Sequence, residues 1–396
     1  MISAILSNSN NKDSESVRIS FPITDYKENY DSLQSIGIGS VTERDCFVSE
    51  INFNSCPILK RLEKININVD ELDYLVKRLD SFDGHEIAKF QGVAASRGYD
   101  DITNFINLTF CCQETTIVRD FTDLEAVGRE HYMDIRGGLS EKELNSIDFR
   151  KEALSLILNE NGYVTPYGVV YENAMCLDRV YDGKRFPAYD YDAQSILTVT
   201  IKDRSIPEDN NPDTWLYLPL EECQIERVIL RAGIATFDDV QLSVFDSNLH
   251  PEVEDLILKS DLNLLELNSF CLDFKNMGEA DQKKFKAALQ WTEPLNAWQL
   301  KNLMKQLDLF EFVPDVFTPE DYGCHMIRES GHYNYDEELD EFYDFEKYGK
   351  WRMSNENGQF TQVGYISCHG LISLEEIMAG GQTERMEMTM GGMQLG

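Results

Sequence analysis

Ile36-Gly37-Ile38 with Ala232-Gly233-Ile234, and Asn159-Glu160-Asn161-Gly162 with Asn355-Glu356-Asn357-Gly358, are the stretches on which the fold turns. Both pairs lie 196 residues apart (232 − 36 and 355 − 159), and Phe121-Thr122 and Phe317-Thr318 keep the same separation. Between these anchors the register slips by only one or two residues, as in Phe21-Pro22-Ile23 against Leu218-Pro219-Leu220 and Ala88-Lys89-Phe90 against Lys283-Lys284-Phe285. A domain-sized period of this kind predicts one architecture written twice. The expected boundaries are residues 1–171 for the first copy, 172–194 for a connector without periodicity, 195–370 for the second copy, and 371–396 for a flexible tail rich in Gly and Met.

Each copy opens with strand-like alternation, at Val17, Ile19 and Phe21 and again around Trp215 to Leu218. A short helical stretch then runs to the glycine, and a second strand follows over Cys46 to Phe53 and Val240 to Phe245. The middle of each copy is helical. Leu72, Leu75, Val76, Leu79 and Phe82 form an apolar stripe, repeated at Leu267, Phe270, Cys271 and Phe274, while the other face of the first stripe carries Asp70, Asp73 and Asp80. Two helix starts open each final third. Thr122 to Glu125 reads as a capping box, and Thr318-Pro319-Glu320-Asp321 places Pro at the first helical position with acids in the first turn. Ser140 to Glu143 predicts a second helix with Leu144, Ile147, Leu154 and Leu158 inward, and its counterpart over Asp336 to Met353 is the densest acidic stretch in the chain. Turns at Asn161-Gly162 and Asn357-Gly358 lead into closing strands over Val164 to Tyr171 and Phe360 to Ser367. The fold class is therefore α+β, with small antiparallel sheets and a helical middle in each copy.

The 396 residues carry 36 Lys and Arg against 70 Asp and Glu, a formal net charge of −34. That balance excludes a direct, affinity-driven grip on nucleic acid or anionic lipid. With 42% hydrophobic and 11% aromatic residues, the acid sits on folded domains rather than on a solvating tail. Nine cysteines, never spaced as a Cys-x-x-Cys pair, read as buried thiols in a reducing compartment. No basic leader opens the chain and no apolar run reaches the ~18 residues of a membrane span, which predicts a cytoplasmic protein.

Motifs for chemistry fail on inspection. Ile36-Gly37-Ile38-Gly39 lacks a third glycine and a phosphate lysine, so it reads as a helix C-cap and turn. Asp209 to Asp213 begins like a calcium loop, but Thr214 stands where the sharp-turn glycine is required and Leu220 where the bidentate Glu belongs, leaving a polar hairpin loop. The six histidines never pair at ligand spacing, and no nucleophile elbow or coherent Cys-His pair is present. No enzyme, metal or cofactor is expected. What remains is charge. Residues 1–195 hold 20 bases against 33 acids and residues 196–396 hold 16 against 37, so both copies are acidic. Duplex DNA carries one charge per ~1.7 Å, so a charge of this size corresponds to about 58 Å of duplex.

The layout resembles the ArdA family of antirestriction proteins: a short N-terminal strand, a polar excursion, a strand ending in Pro22 or Pro219, a helix into Ile36-Gly37-Ile38, an acidic helical middle, and a closing pattern in which Ile147-Asp148-Phe149 to Gly168 matches Tyr343-Asp344-Phe345 to Gly364. The resemblance implies an elongated, curved, non-enzymatic protein. Its surface carboxylates would imitate B-form DNA and occupy the DNA groove of type I restriction-modification methyltransferase and specificity complexes. Family members are typically one copy long and pair as homodimers, so two fused copies imply a pseudo-dimer within one chain, with a further homodimer open. On the predicted helix faces the mimic acids are Asp70, Asp73 and Asp80 in the first copy, and Asp336, Glu337, Asp340, Glu341 and Asp344 in the second. An acidic adaptor for another basic defence protein, or a metal-dependent enzyme of a mobile element, are the competing readings.

Overall fold

In the computed structural model, which describes residues 2–9, 15–138, 140, 146–188, 195–260, 262–368 and 372–380, the alternation at Val17, Ile19 and Phe21 becomes β2 (Val17–Phe21). It pairs antiparallel with β1 (Ile2–Asn8), Ile2 opposite Phe21 and Leu6 opposite Val17. The other edge of β1 takes β3 (Cys46–Asn52), and β3 takes the short β4 (Asn66–Ile67), giving the order β2-β1-β3-β4. Ala4, Leu6, Ile19, Phe21 and Val48 are buried. Helix α1 (Tyr26–Ser35) is N-capped by Asp25, and the Ile36 to Gly39 stretch ends it as expected, Gly37 lying at φ +72° where a side chain would be strained.

Helix α2 (Val69–Asp80) starts because the Asn68 side chain accepts the amides of Asp70 and Glu71. Leu72, Leu75, Val76 and Leu79 are buried as the stripe predicts, each worth roughly 1.5–3 kcal/mol of transfer free energy. Helices α3 (Gly84–Ser96) and α4 (Ile102–Leu108) complete this core. A second sheet, order β5-β7-β6, joins β5 (Thr116–Val118), β6 (Tyr163–Thr165) and β7 (Gly168–Tyr171), with α5 (Leu124–Arg136) and α6 (Phe149–Asn159) beside it.

By contact density the chain falls into two compact units. One comprises Met1–Gln194, Thr200–Leu216 and Glu221–Ser243; the other comprises Ser195–Val199, Tyr217–Leu220 and Val244–Gly396. A further sheet, of order β10-β8-β9, is built from β8 (Leu197–Asp203), β9 (Thr214–Leu218) and β10 (Val240–Ser247). Helix α7 (Glu222–Ala232) belongs to the first unit. In the second unit α8 (Pro251–Lys259), α9 (Leu264–Asn276), α10 (Glu279–Thr292) and α11 (Ala297–Lys305) precede a sheet of order β11-β13-β12. Its strands are β11 (Phe310–Pro314), β12 (Asn357–Thr361) and β13 (Gly364–Cys368), flanked by α12 (Pro319–Arg328) and α13 (Phe345–Ser354).

Corresponding devices recur in the two halves. The peptide bonds before Pro22 and Pro219 are both cis. Gly128 in α5 lets the backbone of α6 approach so closely that a Cβ there would lie 1.7 Å from the Phe149 carbonyl oxygen; at Gly323 in α12 it would lie 2.0 Å from that of Phe345. The α+β class follows directly from these elements.

Several expectations are corrected. The closing strands are hairpins, β6-β7 and β12-β13, turning at Pro166-Tyr167 and Gln362-Val363, with the Thr165 and Thr361 hydroxyls donating to the carbonyls of Gly168 and Gly364 at 2.8 Å. After Ser140, the expected helix start through Glu143 and the inward Leu144 fall within residues 141–145, outside the described residues; helix α6 runs from Phe149, capped by Asp148. Its buried side is Phe149, Ala153 and Leu156, whereas Leu154 and Leu158 face solvent. The capping residue of α5 is Asp123 rather than Thr122, because the Asp123 carboxylate accepts the Ala126 amide. The connector is not a bare link, since Met175 and Tyr181 enter the first core and Tyr181 stacks on Phe186. Part of the expected tail forms α14 (Leu374–Met378), with Ile377 fully buried and its carbonyl accepting from Gln306. Among the cysteines Cys176 is exposed, while burial pushes the Cys271 thiol up to about 12.

Candidate functional site

The eight acids singled out by the sequence separate into groups with different work to do. Asp73 is buried in the first core. Its carboxylate accepts the Ile23 amide and the Tyr26 hydroxyl, both at 2.7 Å, and pairs with Lys77 at 2.8 Å. Asp70 is only 11% exposed and lies under α7. It accepts the Tyr30 hydroxyl at 2.6 Å and ion-pairs with Arg227 at 3.0 Å and Arg231 at 3.2 Å. Burial first and the Asp70 charge second push the Tyr30 phenol far above its ordinary range, so it stays a hydrogen-bond donor. The Arg227 guanidinium sits 4.0 Å from the centroid of the Tyr30 ring. Neither acid can present charge to a partner, because each is taken up by donors inside the first unit. Asp80, at the end of α2, is exposed.

A signal against Asp70 and Asp73 was present in the sequence. In the register of the apolar stripe, where Leu72 matches Leu267 (267 − 72, or 195), Asp73 falls on Asn268 and Asp70 on Leu265. Asn268 accepts the Leu220 amide at 2.8 Å and donates to the Leu220 carbonyl, much as Asp73 holds Ile23 just past the other proline. The shared requirement at this position is an acceptor for a backbone amide, and charge is incidental to it.

In the second unit the predicted helix over Asp336 to Met353 is broken. A 3-10 helix covers Glu337–Phe342, Tyr343 is extended at φ −83° and ψ 126°, and α13 starts afresh at Phe345. The cause is local: Asp336 and Asp344 are both N-caps, accepting the amides of Glu338 and Lys347 at 3.0 Å, and an N-cap ends any preceding helix. Asp336, Asp340 and Asp344 therefore do not form one helical row. Asp340 is matched by Arg328, whose Nη2 lies 2.6 and 2.7 Å from its two oxygens, and it also accepts the Tyr335 hydroxyl at 2.6 Å. These bonds, Tyr335 first and Arg328 second, hold its carboxyl below the usual range. Asp336, Glu337, Glu341 and Asp344 remain exposed, and among the described residues no cation lies within ion-pair distance of them.

Exposed apolar side chains interleaved with these acids were missed. Phe342 is 82% exposed, Trp351 59% and Leu339 47%. Helical periodicity hid Leu339 and Phe342, because 3.6-residue spacing does not apply to a 3-10 turn, whereas Trp351 lies on an exposed position of α13. In the first unit a separate groove of about 650 Å³ is lined by acids including Asp83, Asp123, Glu125 and Glu130, together with His85 and Arg129, and His85 Nε2 lies 2.6 Å from Glu130.

Among the described residues no group of three His, Cys, Asp or Glu side chains is arranged to hold a metal ion. Nor is any helix among them long and apolar enough to cross a membrane. No protein-family model matches the chain, and no curated protein matches it either.

Proposed function

We propose that this chain is an antirestriction protein, a B-form DNA mimic that blocks type I restriction-modification enzymes by occupying the DNA groove of their methyltransferase and specificity complex. It acts without catalysis or cofactor, in the cytoplasm of a bacterial host, as two ArdA-like repeats fused in one chain. The observation that supports this reading most is the run of exposed, uncompensated carboxylates at Asp336, Glu337, Glu341 and Asp344 on a chain of net charge −34. A groove that binds duplex DNA presents the complementary cationic surface, and charge complementarity of this kind raises association rates and weakens as salt rises.

The exposed Phe342 and Leu339 favour a second reading, an acidic adaptor for a different basic protein, since a DNA backbone offers no such apolar groups. One experiment separates the two. The purified chain is incubated with a type I methyltransferase core, and the complex is challenged with duplex DNA and with salt. A mimic forms a complex that excess duplex displaces and that weakens steeply with ionic strength. No complex, or one that duplex DNA leaves intact, removes the mimic reading.

A further inference from the structure

The 3-10 helix Glu337–Phe342 buries none of its residues. With three residues per turn, side chains at i and i+3 eclipse, so Leu339 and Phe342 share one edge of it. Glu338 and Glu341 share the next edge, and Glu337 and Asp340 the third. An exposed apolar ridge is thus flanked on both sides by carboxylates. The same segment already contains one guanidinium bound in this chemistry: Arg328 forks onto Asp340 and lies 4.7 Å from the centroid of the Phe345 ring and 5.7 Å from that of Tyr335.

We infer that this ridge is a docking surface for arginine side chains of a basic protein partner, each guanidinium pairing with a flanking carboxylate while its planar face lies on Phe342. Arginine is favoured over lysine because its guanidinium is planar, weakly hydrated, stacks on rings and binds carboxylates with two parallel bonds. The inference rests on the charge-based reading above and adds to it an apolar component that salt does not screen. It also assigns the contact to the second unit.

The test uses the full chain and two probes, oligo-arginine and oligo-lysine peptides of equal length, with affinities measured by calorimetry. The native chain binds the arginine peptide about two- to fivefold more tightly, the range of an exposed cation–π contact. Phe342→Ala removes that preference while leaving lysine-peptide affinity unchanged, and Phe342→Leu, apolar but without a π face, does not restore it. Trp298→Ala, an exposed tryptophan elsewhere in the second unit, retains the preference. Equal binding of the two peptides, or a preference that survives Phe342→Ala, overturns the inference and leaves the charge-based reading standing. Failure of the native chain to bind either peptide overturns both. Self-association of the native chain that Phe342→Ala abolishes would assign the ridge to a second copy and likewise overturn it.

Discussion

Asp70→Asn should destabilise the protein without weakening its binding to a basic partner. The carboxylate is 11% exposed and faces Arg227 and Arg231, themselves 11% and 5% exposed. The amide of Asn carries no charge and turns a donor toward guanidinium groups that need an acceptor. Breaking a buried ion pair by neutralising one partner costs about 3–5 kcal/mol. The lower end applies here, because Arg227 keeps the Gly39 carbonyl at 2.9 Å and Arg231 keeps Asn68 Oδ1 at 2.6 Å. For a unit of this size about 3 kcal/mol lowers Tm by roughly 6–12 °C. Scanning calorimetry of the native chain and the variant measures the shift. Adding Arg231→Met to Asp70→Asn should recover part of the loss, since removing both partners is milder than orphaning one. An unchanged Tm together with weakened partner binding would refute the reasoning and return Asp70 to the surface.

Neutralising the exposed acids of the second unit together (Asp336→Asn, Glu337→Gln, Glu341→Gln, Asp344→Asn) should leave Tm within a degree or so, since Asn serves as an N-cap as well as Asp. At about 0.5 kcal/mol per screened charge, affinity for a basic groove should fall roughly ten- to thirtyfold, measured by competition against duplex DNA. Single Asp80→Asn should be silent in both assays. Gly323→Ala should destabilise the second unit by about 3 kcal/mol or more, read as a lowered urea midpoint, because the new Cβ would meet the Phe345 carbonyl at 2.0 Å. Burial lowers the pKa of His131 in spite of Glu152 and Asp134 nearby. The unfolded chain therefore binds the proton more readily, and this contribution is full above about pH 6.5 and lost as pH falls toward the folded pKa. Urea titrations across that window should show a stability slope that His131→Asn removes.

The elements that local rules govern were legible. The stripe through Leu72, Leu75, Val76 and Leu79, the cap at Thr318 and the turn at Gly37 each depend on residues a few positions apart. What could not be read depended on distant partners or on competition between neighbours. Asp70 meets Arg227 across 157 residues, so a helix face that looked polar is covered by α7. The acidic stretch fails as one helix because two of its aspartates cap their own backbone more favourably than they continue a helix. Leu154 and Leu158 point outward because the face of α6 that packs inward is the one carrying Phe149, Ala153 and Leu156. Of the candidate surface, Asp80, Asp336, Glu337, Glu341 and Asp344 keep the exposure expected of them, and Phe342 beside the second cluster sits in a 3-10 turn that follows no α-helical period.

The position of α7 bears on how such a chain can be cut. Sequence repetition suggests a scissile point between residues 171 and 195, as if the gene encoded two interchangeable cassettes. Yet Glu221 accepts the backbone amides of Tyr26 and Lys27 at 2.9 and 3.1 Å, and Arg227 and Arg231 neutralise Asp70. A fragment ending before residue 195 would lose α7, which uncovers Asp70 and Tyr30 to solvent and leaves the Tyr26 and Lys27 amides without their Glu221 acceptor, with only Asp25 still capping α1. The downstream segment therefore completes the fold of the upstream one, as a missing piece of the same compact unit, so that truncation at the sequence-level boundary should yield a destabilised fragment rather than a self-sufficient domain.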